Sequence, residues 1–211
     1  MRSMRSAQPS PPPRPFVLAL AGSASSRSRS TVMLRCAANL LRERGVAVQE
    51  VGLHDFPPSD LIEAVHDEGS AARWLRDLVA RAGGLVVASP VYQASFSAAL
   101  KAMLDLLPER ALQGKAVLPL GSAGSTAHLL ALEYSLNPVL SALGARHILA
   151  GVYAAGEDVT WNAEGDAVLG DRLGTRLNAC VERLLEFVVP VRAPLRAADI
   201  GHLLVSARFG V

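Results

Sequence analysis

The stretch FVLALAGSASSRSRST, residues 16 to 31, decides the fold. Phe16 to Ala21 is an apolar run of strand length bounded by a turn signal at Gly22. A hydroxyl-rich segment follows, and from Thr31 to Arg44 the pattern becomes that of an amphipathic helix. Met33, Cys36, Ala37 and Leu40 form its expected apolar face, while Arg35, Arg42 and Glu43 point elsewhere. A strand, a loop and a covering helix make the first half of a βαβ unit, which calls for a parallel neighbour.

Working outward, the same alternation repeats. Further strands are expected at Val46 to Val51, Leu85 to Ala88, Ala116 to Leu120 and Arg146 to Tyr153. Helices are expected at Ser70 to Ala82, Ser97 to Leu107, Ala127 to Leu143 and Asp171 to Phe187. Gly45, Gly83 and Gly144 read as helix stops, Ser70 and Ser97 as caps, and Pro108 closes the third helix. Five such units predict a doubly wound α/β fold, either flavodoxin-like or half of a dinucleotide-binding fold, and the length favours the first. The expectation is a flavodoxin-like, five-stranded parallel sheet of order 2-1-3-4-5 with helices on both faces. One domain is expected over residues 16–190, between a disordered extension at 1–15 and a tail at 191–211.

Composition narrows the function. The net charge is +2, but the first fifteen residues hold Arg2, Arg5 and Arg14 and no acid, so without them the charge is −1. No helix is written as a basic stripe, which argues against nucleic-acid binding. Cys36 and Cys180 form no CxxC or Cys/His spacing and read as buried free thiols, with no metal expected. The start lacks the apolar core of a signal peptide and no stretch reaches membrane-spanning length, so a cytoplasmic protein is expected. His54 and His66 lie in a loop-rich stretch and are expected to be solvated, and His128 to start or pack a helix.

In such a sheet, ligands bind beyond the carboxyl ends of the strands, where the strand order reverses. The loop after strand one, Gly22 to Thr31, sets hydroxyls, backbone N–H groups and two arginines at a helix N-terminus, which suits an anion. It has neither GxxxxGK[ST] nor GxGxxG, so a terminal monophosphate such as that of FMN fits better than a triphosphate or pyrophosphate. A flexible Ser/Arg loop without ligand is the alternative. After strand three, Pro90 fixes a turn and Tyr92 can lie beside a planar ring, although a tyrosine here can also simply pack. After strand four, Gly121 to Thr126 are small residues that let a flat ligand approach the backbone. One phosphate-like and two ring-shaped loops on one edge point together to a mononucleotide flavin.

These residues resemble the NADPH-dependent FMN reductase family, and within it the alkanesulfonate-linked FMN reductases. The likeness rests on Gly22-Ser23 with its serine-rich loop, Ser89-Pro90-Val91-Tyr92, the run Leu104 to Lys115, and His128 to Leu143, and extends over about residues 16 to 155. The resemblance implies phosphate binding by Ser23, Ser28 and Ser30 with Arg27 or Arg29. It implies ring contacts from Pro90, Val91 and Tyr92 and from Gly121, Ser122, Gly124 and Ser125. The loop departs from the family in having Ala24-Ser25 where related loops often carry Pro or Arg.

Pro138 lacks an N–H, so the carbonyl of Tyr134 loses its helical partner and a kink or π-bulge is expected there. In the resembling enzymes a tyrosine insertion makes such a π-helix at a subunit interface near the flavin, associated with flavin transfer. The resemblance further implies NADPH, or alternatively NADH, as reductant, a homotetramer built from dimers, and a monooxygenase that receives FMNH2 and desulfonates alkanesulfonates. Hydride transfer between two cofactors needs no protein acid or base, so none is assigned. The alternatives are a quinone or azo reductase with tightly held FMN, and a flavodoxin-like electron carrier.

Overall fold

The computed structural model describes residues 16–63 and 70–188. Strand β1 (Phe16–Ala21) is covered on both faces, and Val17, Leu18, Ala19 and Leu20 are fully buried. Alternation sends Val17 and Ala19 to one face and Leu18 and Leu20 to the other. On the first face pack α1 (Arg29–Glu43) and α6 (Asp171–Val188), and on the second α3 (Ser70–Arg81), α4 (Ala98–Asp105) and α5 (Asn137–Ala142). A short α2 (Pro58–Glu63) precedes α3.

β1 pairs in parallel with β2 (Ala47–Gly52) and with β3 (Gly84–Tyr92), β3 with β5 (Ala116–Ser122), and β5 with β6 (His147–Ile148) and β7 (Val152–Ala154). Counting β6 and β7 as one interrupted strand and setting aside the two-residue β4 (Ser95–Phe96), this is the expected flavodoxin-like order. The strand order reverses at β1 and β3.

Several boundaries move. β3 runs on through the expected loop to Tyr92, because Ser89 and Pro90 pair with Gly121 and Ser122 of a β5 lengthened by two residues, and Val91 and Tyr92 pair with Phe96 and Ser95. It turns back at Gln93 and Ala94, both with positive φ (48° and 60°), into the antiparallel β4. Neither residue type favours that conformation, so the hairpin had no turn signal. The fifth strand breaks where the register slips by one residue, between Val117↔Ile148 and Leu120↔Val152. Pro119, which has no N–H to offer, sits at this bulge.

The expected helix from Ala127 to Leu143 is three pieces: a 3₁₀ turn (Thr126–His128), a π-helix (Leu132–Leu136) and α5. Asn137 N–H donates to Leu132 O five residues back, as a π-helix requires. The buried side of α1 is Leu34, Ala37, Ala38 and Leu41 with Met33, whereas Leu40 and Cys36 are only half-buried. A hairpin of β8 (Val159–Trp161) and β9 (Ala167–Leu169) had no expectation. The expectations for residues 1–15, for the tail at 191–211 and for His66 lie outside the described residues. Among the described residues no helix is long and apolar enough to cross a membrane.

Candidate functional site

The carboxyl ends of β1, β3 and β5 lie side by side, with Ala21 beside Ala88 and Ser89 beside Gly121, so three predicted segments share one edge. Gly22 N–H donates to Ala88 O at 2.7 Å, tying the first segment to the second. Beneath them runs a buried hydroxyl network. Ser97 Oγ donates to Gly22 O at 2.5 Å and accepts Leu100 N–H as the cap of α4, while Ser97 N–H donates to Ser89 Oγ, which donates to Pro90 O. Ser97 was legible as a cap, but nothing in the sequence shows its second contact, 75 residues away in the chain.

The first segment folds on itself. Ser23 Oγ accepts Ser25 N–H, Ser25 Oγ accepts Arg27 N–H, and Ser25 O accepts both Ser28 N–H and Thr31 Oγ1–H. Ser28 occupies the N-cap of α1 without making a cap bond. Its Oγ instead lies 2.9 Å from Ser30 Oγ. The N–H groups of Arg29, Ser30 and Thr31 consequently have no partner among the described residues, and no acid stands in the first turn. Such an end presents donors and a favourable dipole to an anion.

The two arginines behave differently. Arg27 is exposed and its side chain makes no hydrogen bond among the described residues. Arg29 Nε donates to Gly156 O at 3.0 Å, and its guanidinium lies 5.5 Å from the centre of the Trp161 ring. His54, expected to be solvated, is exposed but its ring Nε2 lies 2.8 Å from Ala24 O, which ties the loop to the end of β2.

In the second segment Pro90 and Val91 are buried and Tyr92 is 62% exposed. In the third, Gly121 and Ser122 are buried within β5, and Gly124 and Ser125 are exposed beyond it. That third segment is braced from β7 by residues the sequence did not single out for this purpose. Ala123 N–H donates to Ala154 O, Tyr153 Oη–H donates to Ser125 O at 2.7 Å, and Gly156 approaches so closely that a Cβ there would lie 2.8 Å from Gly124 O. Burial pushes the Tyr153 phenol above its ordinary value, so it remains a donor at neutral pH. No atom lies within 4 Å of where a Cβ on Gly124 would stand.

Tyr134, on the π-helix, is 79% exposed and borders the same open groove as Tyr92 and Phe96. Leu132 anchors this helix in the space left by two glycines, since a Cβ on Gly121 or Gly151 would meet its side chain at 2.8 or 2.9 Å. His128 is exposed. Cys36 and Cys180, expected to be buried, are half-buried free thiols; Cys36 lines a surface pocket with Ser26 and Arg27, and burial raises both thiols.

An FMN suits this edge on three observations. The uncapped α1 has three unpaired N–H donors and the part-exposed Ser28 hydroxyl, backed by the buried Ser30 hydroxyl, for a phosphate, Gly124 leaves room for a flat ring, and Tyr92 stands exposed beside it. Fold and site define a flavodoxin-like mononucleotide-binding protein.

The family model for NADPH-dependent FMN reductase matches residues 15–160. A Pseudomonas putida protein named FMN reductase (NADPH) is 43% identical over 186 residues, covering 87% of this chain and 93% of its own. An Escherichia coli K12 protein of the same name is 51% identical over 127 residues, covering 60% of this chain and 66% of its own. Among solved structures, the apo form of the NADH:FMN oxidoreductase EMOB is similar with a TM-score of 0.70 and 31% identity, covering 80% of this chain and 87% of that one. The chain belongs to the NADPH-dependent FMN reductase family, and it is an oxidoreductase that uses FMN with NADPH or NADH.

Proposed function

We propose that the protein takes up free FMN, reduces it with NAD(P)H and releases FMNH2 to a partner monooxygenase, one that desulfonates alkanesulfonates. The observation that carries this reading is the π-helix at Leu132–Leu136, which holds Tyr134 out beside the groove of Tyr92. A π-helix gives up regular α hydrogen bonding, and such segments recur at functional sites. Leu129 and Leu130, 48% and 56% exposed, extend the apolar surface next to it. That surface supports an assembly of copies, a homotetramer, in which the π-helix lies at a contact near the flavin.

Ser23, Ser28 and Ser30 and the free N–H groups of α1 hold the phosphate, with Arg27 adding charge. Pro90, Val91 and Tyr92 on one side and Gly121, Ser122, Gly124 and Ser125 on the other flank the ring. When bound, FMN supplies the N5 that accepts hydride from the nicotinamide C4. The chain's part is to keep the two rings aligned and water out; it needs no proton donor for that step. The buried Ser89–Ser97 network keeps the edge rigid while the flavin comes and goes.

The test is to dialyse the purified protein and follow NADPH oxidation with and without added FMN. A colourless protein whose turnover requires and saturates with FMN supports the reading. A yellow protein that reduces quinones without added FMN overturns it in favour of a tightly held cofactor.

A further inference from the structure

Arg29 sits in the phosphate-like loop, yet its side chain is turned to the opposite end of the domain sequence. Its Nε donates to Gly156 O at 3.0 Å and its guanidinium lies over the Trp161 ring, so this side chain adds a polar latch between the first turn of α1 and the segment from Gly156 to β8, which also pack in one apolar cluster. Gly156 in turn presses on Gly124, where a Cβ would come within 2.8 Å of the Gly124 carbonyl. Ala154 and Tyr153 brace the same segment at Ala123 and Ser125. A continuous chain of contacts therefore runs from Arg29 through Gly156 to Gly124.

We propose that Arg29 is a positioning residue for the flavin ring: latched to Gly156 and Trp161, it sets the height of the Gly121–Ser125 segment, and Arg27 alone supplies the loop's charge to the phosphate. This rests on the assignment of that edge to FMN. The chemistry separates the two arginines. A group that contacts phosphate matters for FMN and not for riboflavin, which has the same ring and no phosphate. A group that holds the ring platform matters equally for both.

The experiment is titration of FMN and of riboflavin into the purified apoprotein, read by quenching of flavin fluorescence, for wild type, Arg29→Met, Trp161→Leu, Trp161→Phe, Arg27→Ala and the Arg29→Met/Trp161→Leu double variant. Loss of one charged hydrogen bond predicts that Arg29→Met weakens FMN and riboflavin by the same factor, about tenfold. Trp161→Leu should do likewise, Trp161→Phe should restore wild-type binding because it keeps an aromatic face, and the double variant should be no worse than either single one. Arg27→Ala should weaken FMN and leave riboflavin unchanged.

Selective loss of FMN in Arg29→Met, or wild-type binding of both flavins in Trp161→Leu, overturns the proposal. Should Arg29→Met fail to fold, the Trp161→Leu and Trp161→Phe pair decides it alone. A wild-type protein that binds neither flavin would instead remove the assignment of the edge to FMN.

Discussion

At Gly22 a side chain has nowhere to go, because a Cβ would lie 2.8 Å from both Ala88 O and Leu100 Cβ. Backbone cannot yield as a flexible side chain can, so Gly22→Ala should cost about 1–3 kcal/mol in a denaturant melt and weaken flavin binding with it. Tyr153 makes a different kind of prediction. Its phenol is raised above the ordinary 10.0 by burial, so its contribution to stability is fully present below pH 10 and is lost as pH rises further. The gap between wild type and Tyr153→Phe should be about 1 kcal/mol and flat from pH 6 to 9, then shrink above about pH 10. A gap that grows with alkalinity would contradict the burial of the neutral phenol. At this scale the sequence spoke clearly about Ser97 as a cap and only broadly about the serine-rich loop. That Arg29 turns to Gly156 and Trp161 depended on residues more than a hundred positions on.

At the scale of elements, the π-helix stands on Leu132, which is 4% exposed and wedged between Gly121 and Gly151. Leu132→Ala should cost about 2–5 kcal/mol, and should also weaken FMN binding because its cavity opens beneath the third segment. Equal destabilisation with unchanged FMN affinity would detach the helix from the site. Lys115 shows a quieter form of support. Its ammonium donates to Ala80 O and Ala82 O at the end of α3, although burial lowers its pKa. Lys115→Met should lower stability by about 1–3 kcal/mol without altering either flavin affinity, since the contact lies away from the carboxyl edge. Pro138 made the irregular helix legible from the sequence, whereas the Gln93–Ala94 hairpin was invisible because its turn residues carry no conformational preference for it.

For the molecule as a whole, the proposed assembly places Leu129, Leu130 and Tyr134 against another copy. Light scattering should give the mass of a tetramer, and Leu130→Asp, which buries a charge in that contact, should give a smaller species that still melts cooperatively. A wild-type monomer at micromolar concentration would oppose the assembly while leaving the reductase activity of the chain in place.

The alternation of short apolar runs with amphipathic helices was enough to determine the five parallel strands and the doubly wound class, and chain length chose the flavodoxin-like order over half of a dinucleotide-binding fold. The strands and the class follow from local periodicity and from the handedness of βαβ units, both of which a sequence records directly. The tertiary structure alone decided where β3 and β5 end, since β3 is prolonged by pairing with β5 and β4, and β5 by pairing with β3 and β7. It alone decided the slip of register beside Pro119, the brace from β7 to the third segment, and the turning of Arg29 to Gly156 and Trp161. These are contacts between residues distant in the chain, and their geometry is set by packing, which local composition does not encode.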